Sequence, residues 1–121
     1  MVKGDFFDKL KYKMDTYVHL VYRISKNFPK EEIYGTTSQF RRSSLSIVLN
    51  YIEGFARERK AVKLNFWKIS YGSLKESKYL LHFSLIESYI NRKEYEDAVS
   101  LAEEIGAMLW TAIQSLEARE K

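Results

Sequence analysis

The chain has 121 residues, enough for one domain around one core. Hydrophobic residues make up 45% and charged residues 30%, which excludes a disordered chain, and the absence of cysteine excludes disulfides, thiol nucleophiles and thiolate zinc sites. The net charge of +4 is unevenly spread: residues 1–78 hold 16 basic and 8 acidic side chains, a net +8, whereas residues 79–121 are net −4.

A single proline and five glycines leave long uninterrupted segments, which favours helix. The first predicted helix runs from about Asp8 to Asn27. Its Leu10, Met14, Tyr17, Val21, Ile24 and Phe28 alternate four- and three-residue steps, the spacing of a packed seam. Pro29 ends it, because the residue before a proline is pushed out of helical geometry. After a turn at Tyr34-Gly35, Thr36-x-x-Gln39 matches a capping box, so the second helix is expected from Thr37 to about Arg57. Its apolar residues (Phe40, Leu45, Ile47, Val48, Leu49, Tyr51, Ile52 and Phe55) surround the helix, as in helices contacted on more than one side.

The third predicted helix covers Val62 to Ser88, with Leu64, Trp67, Tyr71, Leu74, Lys78, Leu81 and Leu85 at heptad spacing. Gly72-Ser73 in its middle is costly by about 1 kcal/mol against alanine and is expected to mark a close helix–helix approach. Asn91-x-x-Glu94 caps the fourth helix, which continues to about Ala118 with a seam of Ala98, Leu101, Ile105, Met108, Ala112 and Leu116. Trp67 and Trp110 fall at or beside seams, so core packing is expected of both. Four helices with short connections predict an all-α, antiparallel up-down-up-down four-helix bundle, one domain over residues 1–121.

Catalysis finds little support. His19 and His82 lie on different helices, no Glu-x-x-His motif of the di-iron bundles occurs, and there is no phosphate loop or nucleophile elbow. The expectation is a protein that is not an enzyme and carries no cofactor or metal. Met1 to Asp5 lead into a charged segment and no apolar stretch approaches the ~20 residues that span a bilayer, so a cytoplasmic location with no membrane partner is expected.

Two features point to function. The second helix spaces Gln39, Arg42, Ser46, Asn50 and Glu53 at three- and four-residue intervals, a polar stripe on one face. Arg42 and Glu53 stand about 16 Å apart along the axis and cannot pair with each other. Each therefore needs a partner on another helix, for example Glu76, or on another subunit, since an unpaired buried charge costs several kcal/mol. Basic residues also cluster: Arg41 beside Arg42, then Arg57, Arg59, Lys60 and Lys63, with Lys68 a turn or two beyond. Arg41, Arg57, Arg59, Lys60, Lys63 and Lys68 are the candidate phosphate contacts, supplying position without sequence readout. A solvated turn with ordinary surface charge is the competing reading of the same cluster.

Phe28-Pro29-x-x-Glu32-x-Tyr34-Gly35-x-x-x-Gln39-x-Arg41-Arg42, followed by Ser46-Ile47-x-x-Asn50-x-x-Glu53-Gly54-x-x-Arg57, resembles the four-helix-bundle proteins encoded in intervening sequences of bacterial large-subunit ribosomal RNA genes. Phe66, Gly72-Ser73-Leu74, Glu76, Tyr89-Ile90 and Tyr95 extend the resemblance over nearly the whole chain. It implies a bundle that assembles into a ring-like homopentamer. A related branch, the accessory variability determinants of diversity-generating retroelements, implies nucleic-acid binding, RNA or DNA, and a reverse transcriptase partner. The chain departs from the family pattern where Val48 stands for a proline, Tyr51 for an isoleucine and Ile52 for an alanine. Loss of the proline should straighten the second helix, and Ile52 should need extra room in a packed layer. The alternatives are a protein-interaction scaffold and a homo-oligomer with no nucleic-acid ligand.

Overall fold

The computed structural model describes residues 2–119, and the side chains of residues 4–119. Four helices follow one another: α1 (Val2–Ser25), α2 (Thr36–Phe55), α3 (Lys60–Ile86) and α4 (Arg92–Ala118), with one turn of 3-10 helix at Lys30–Glu32 between the first two. There is no strand among the described residues. Each helix packs on the next and α4 returns to α1, whereas the diagonal pairs meet only through side chains among the described residues.

The α1 seam is buried as its spacing predicts, from Leu10 through Phe28. The helix begins earlier than the expected Asp8 because Phe7 anchors its first turns, with its ring 5.5 Å from Phe55 and 5.9 Å from Trp67. In α4 the expected capping box forms: Asn91 Oδ1 accepts from the Glu94 N–H at 2.7 Å, and Glu94 Oε1 accepts from the Asn91 N–H at 3.0 Å.

The capping box expected at Thr36 and Gln39 does not form. Glu32 supplies the cap instead, its Oε1 accepting from the Thr36 N–H at 2.8 Å, and α2 starts at Thr36. A carboxylate meets the positive end of the helix more favourably than a hydroxyl does. A Cβ at Gly35 would stand 2.6 Å from that carboxylate oxygen, so a side chain there would push against the cap. The helix ends also fall short of expectation at Phe55 and Ile86. Ser88 takes φ 63°, and the Tyr89 N–H reaches back to Ser84 O at 2.8 Å, closing the last turn of α3.

α2 and α3 are the most closely packed pair. Small hydroxyl side chains are buried on both: Ser43 and Ser44 on α2, and Ser70, Ser73, Ser77 and Ser84 on α3. Each hydroxyl except Ser84's finds an acceptor or partner. Ser70 Oγ donates to Ile47 O at 2.6 Å, and Ser77 Oγ meets Tyr17 Oη at 2.7 Å, a polar link across the bundle from α1 to α3. Small residues let two helix backbones approach, and the hydrogen bonds keep the buried oxygens satisfied.

The close approach is at Gly54 and not at Gly72. A Cβ at Gly54 would lie 2.6 Å from Trp67 Cδ1, whereas a Cβ at Gly72 would meet nothing within 4 Å. Ser73 is buried in the seam, but Gly72 faces outward. Trp67 is core, stacked on Tyr51 at 5.8 Å with its Nε1–H donating to Tyr51 O. Trp110, expected in the core, is 47% exposed, because the buried face of α4 runs through Ala102, Ile105, Leu109 and Ile113 and turns Trp110 outward against Tyr71. Ile52 needs no room in a packed layer; it is 42% exposed on the outer face of an unbroken α2, while Val48 is buried.

Candidate functional site

The polar stripe of α2 lies along the rim of the α2–α3 seam, where the chain itself satisfies it. Arg42 donates to Gln39 Oε1 on its own helix and pairs with Glu76 on α3. Ser46 Oγ meets Ser73 Oγ at 2.7 Å, and Asn50 Nδ2 donates to Ser46 O at 2.9 Å and Ser46 Oγ at 3.0 Å. The expected Arg42–Glu76 partnership across helices is therefore present. Glu53 departs from expectation. It pairs with Arg57, one turn further along the same helix, so it needs neither another helix nor another subunit. The residues are four apart, which places them side by side on the surface.

The candidate phosphate contacts fall into three environments. At the junction of α2 and α3, Lys63 Nζ donates to Gly54 O at 3.0 Å and Phe55 O at 2.9 Å, closing the C-terminus of α2. Burial, then the nearby Arg119 charge, lowers the Lys63 pKa below the usual lysine range. Lys60 Nζ donates to Glu117 O and Arg119 O and closes the end of α4 in the same way. Lys68 pairs with Glu117 at 2.7 Å, and Arg57 with Glu53 while its guanidinium lies 5.5 Å from the Phe66 ring centroid. Arg59, exposed at the N-cap of α3, has no side-chain partner among the described residues. At the other end of the bundle Arg41 is fixed against α1. Its Nε donates to Ser25 Oγ at 2.8 Å, one Nη to Tyr22 O at 3.4 Å, and its guanidinium carbon sits 4.8 Å from the Tyr22 ring centroid. The structure thus does not bring the six basic residues into one patch.

The charge asymmetry has a structural use that composition alone did not reveal. Lys13, Lys68 and Lys78, all from the basic part, pair with Glu104, Glu117 and Glu103 of α4. Among the described residues, the basic side chains left without a carboxylate include Arg23, Lys26 and Lys30, clustered where α1 turns into α2. Sequence reading passed over these because they are separated by Asn27 to Pro29 and show no run of like charge. Beside them the Glu32 carboxylate has its pKa lowered, by the Thr36 backbone first and then by the Thr36 and Tyr89 side chains. Tyr89 Oη donates to Glu32 Oε2 at 2.9 Å and its own pKa is raised, by that hydrogen bond before burial. The clasp ties the α1–α2 turn to the α3–α4 turn.

Among the described residues there is no cluster of three metal-ligating side chains, and no helix is long and apolar enough to cross a membrane. His19 and His82 are both exposed, on α1 and α3.

The sequence model of the 23S rRNA-intervening sequence proteins matches residues 9–111. The fold is similar to a crystal structure from Bacteroides thetaiotaomicron described as a protein of unknown function from the S23 ribosomal protein family. The two chains share 24% identity over 88% of this chain and 96% of the other, with a TM-score of 0.82. No curated protein sequence is similar to this one.

Proposed function

Because the chain belongs to the 23S rRNA-intervening sequence protein family, we propose that it is a non-enzymatic, oligomeric helical protein that binds RNA or DNA through phosphate contacts. The observation that carries this reading is the net +8 on residues 1–78, part of which remains unpaired among the described residues at both ends of the bundle after α4 has taken its three lysine partners. Arg59 is the most available of the expected contacts; Arg41, Arg57, Lys60, Lys63 and Lys68 present what remains of their donors around it or at the opposite end. Phosphate contacts of this kind hold a nucleic acid in register without reading its sequence. The setting is cytoplasmic, in keeping with a chain free of cysteine.

The bundle is antiparallel, up-down-up-down. Supporting this, partner numbers rise on one helix as they fall on the next: Arg42 with Glu76, Ser46 with Ser73 and Tyr51 with Trp67, then Lys68 with Glu117 and Lys78 with Glu103. Assembly into a homopentamer, with a reverse transcriptase as partner, is the finer form of the proposal. Leu45, Leu49 and Ile52 support self-association: they share the outer face of α2, and Leu49 and Ile52 are exposed at 58% and 42%. The same stripe favours a second reading, a protein-interaction scaffold without a nucleic-acid ligand.

Electrophoretic mobility shift with single- and double-stranded RNA and DNA, on protein of mass fixed by light scattering, tests the proposal. Affinity is expected to fall steeply with salt, and Arg59→Ala with Lys68→Ala to weaken binding of all sequences alike and to flatten the salt slope by roughly one per lost contact. Salt-independent affinity, or no shift at low salt, overturns the nucleic-acid reading in favour of the scaffold.

A further inference from the structure

At the corner where α1 turns into α2, a cavity of about 440 Å³ is lined by Lys26, Lys30 and Arg41 together with the hydroxyl-bearing Ser25 and Thr37, above an apolar floor that includes Phe28 and Ile33. We propose that this corner is a binding site for a phosphate group. It shares only Arg41 with the polymer surface proposed above and does not depend on that reading.

Three observations carry the assignment. The first is charge. No carboxylate lines the cavity, and none of its three cations makes an ion pair among the described residues. The nearest acids in the chain are Glu31 and Glu32. The Glu32 carboxylate is held by the Thr36 N–H and the Tyr89 hydroxyl, and Glu31 is exposed to solvent. The C-terminus of α1 also ends here, but its partial negative charge of roughly half a unit is outweighed by three full positive ones, and the positive end of α2 opposes it.

The second is preorganisation. Ser25, 2% exposed, and the Tyr22 carbonyl hold the Arg41 guanidinium by Nε and one Nη, which leaves its remaining N–H groups free for a ligand. A fixed guanidinium loses little freedom when it binds.

The third is an unused hydroxyl. Thr37 is 3% exposed and lines the cavity; its hydroxyl makes no hydrogen bond among the described residues and is not sealed from solvent. Other helical hydroxyls of this chain bond back to their own helix: Thr16 to Tyr12 O, Thr111 to Ala107 O, Ser43 to Phe40 O and Ser44 to Arg41 O. A solvent-reached hydroxyl with no protein partner, on a residue lining the same cavity as three cations, is free to donate to an anion. Phosphate fits better than carboxylate because it brings more acceptor oxygens and a charge near −2, against three cations and a hydroxyl.

The test is a titration of inorganic phosphate into the full chain at low chloride, followed by nitrogen–proton NMR. Saturable shifts are expected at the Thr37 amide and the Arg41 Nε–H. Lys26→Gln with Lys30→Gln, at side chains that have no partner among the described residues, should leave the fold intact and weaken binding at least tenfold. Thr37→Val should weaken it severalfold with an unchanged circular dichroism spectrum. A short oligonucleotide carrying a 5′-phosphate is then compared with its 5′-hydroxyl form. Tighter binding of the phosphorylated form supports the site with a nucleic-acid end as the source. Equal binding of the two, with saturable inorganic phosphate, supports it with free phosphate as the source. Shifts that persist unchanged in the double glutamine variant, that spread over all lysines without saturating, or that are absent with every probe overturn the proposal.

Discussion

Gly54→Ala should destabilise the bundle, and Gly72→Ala should stabilise it. At Gly54 a methyl group would stand 2.6 Å from Trp67 Cδ1, 2.8 Å from its Nε1 and 3.0 Å from Lys63 O. The indole cannot swing aside, since it is stacked on Tyr51 and donates to Tyr51 O at 3.2 Å. Relief requires α2 and α3 to separate. Overpacking of this kind costs roughly 1–3 kcal/mol, and the strained Trp67 hydrogen bond adds about 1 kcal/mol if it is lost. Alanine's better helix propensity returns about 1 kcal/mol. The net loss is about 2 kcal/mol, which lowers the Tm by roughly 8 °C in a chain of this size. At Gly72 there is no neighbour to strike, so only the propensity gain of about 0.5–1 kcal/mol remains. Urea denaturation followed by far-ultraviolet circular dichroism, with tryptophan fluorescence reporting on Trp67, measures both. A Gly54→Ala variant as stable as the parent would refute the close approach inferred at Gly54, and a Gly72→Ala loss equal to it would refute the contrast.

Tyr17→Phe should cost about 1–2 kcal/mol by stranding the buried Ser77 hydroxyl, and adding Ser77→Ala should recover part of the loss, a positive coupling in a double-mutant cycle of denaturation curves. Glu53→Ala should change stability by less than about 0.5 kcal/mol, because its pair with Arg57 is exposed and within one helix; a larger loss in thermal melts would restore the idea of a partner elsewhere. The Glu32 carboxyl is depressed in the folded state, so its contribution is complete above the ordinary carboxylate range and fades as pH falls through the lower folded value. Acid denaturation of Glu32→Gln should therefore show a shallower pH dependence than the parent over that interval, and an identical profile would remove Glu32 from the acid response.

The elements of the fold were legible in the sequence wherever one side chain type repeats at helical spacing. The α1 seam from Leu10 to Phe28 and the Asn91–Glu94 capping box both rest on local pattern, and both appear as read. The α2–α3 contact was only partly legible, because serines supply part of it. A serine at a core position looks like surface until the opposing helix supplies its acceptor, as Ile47 O does for Ser70. The same holds for the cap of α2. Thr36 and Gln39 match the local pattern, but Glu32 reaches the helix end from the preceding turn and outcompetes them. Trp110 misled because it lies beside the seam: the next residue back, Leu109, is buried, and one step along the helix turns Trp110 outward.

The basic cluster illustrates why charge runs predict affinity poorly. Lys60 and Lys63 look like free cations in the sequence, yet both neutralise the exposed carbonyls at a helix C-terminus. A lysine engaged in that way has one N–H left to offer a phosphate unless those bonds break. Lys26 and Lys30 carry no such obligation, and Arg41 beside them is already oriented. The free positive charge of the bundle therefore weighs more at the α1–α2 corner than at the α2–α3 junction, the reverse of what residue clustering suggests. If a polyanion binds, substitutions at Lys26 and Lys30 should cost more affinity than Lys60→Ala measured at equal stability, and the opposite order in mobility-shift titrations would return the contact surface to the Arg57–Lys63 segment.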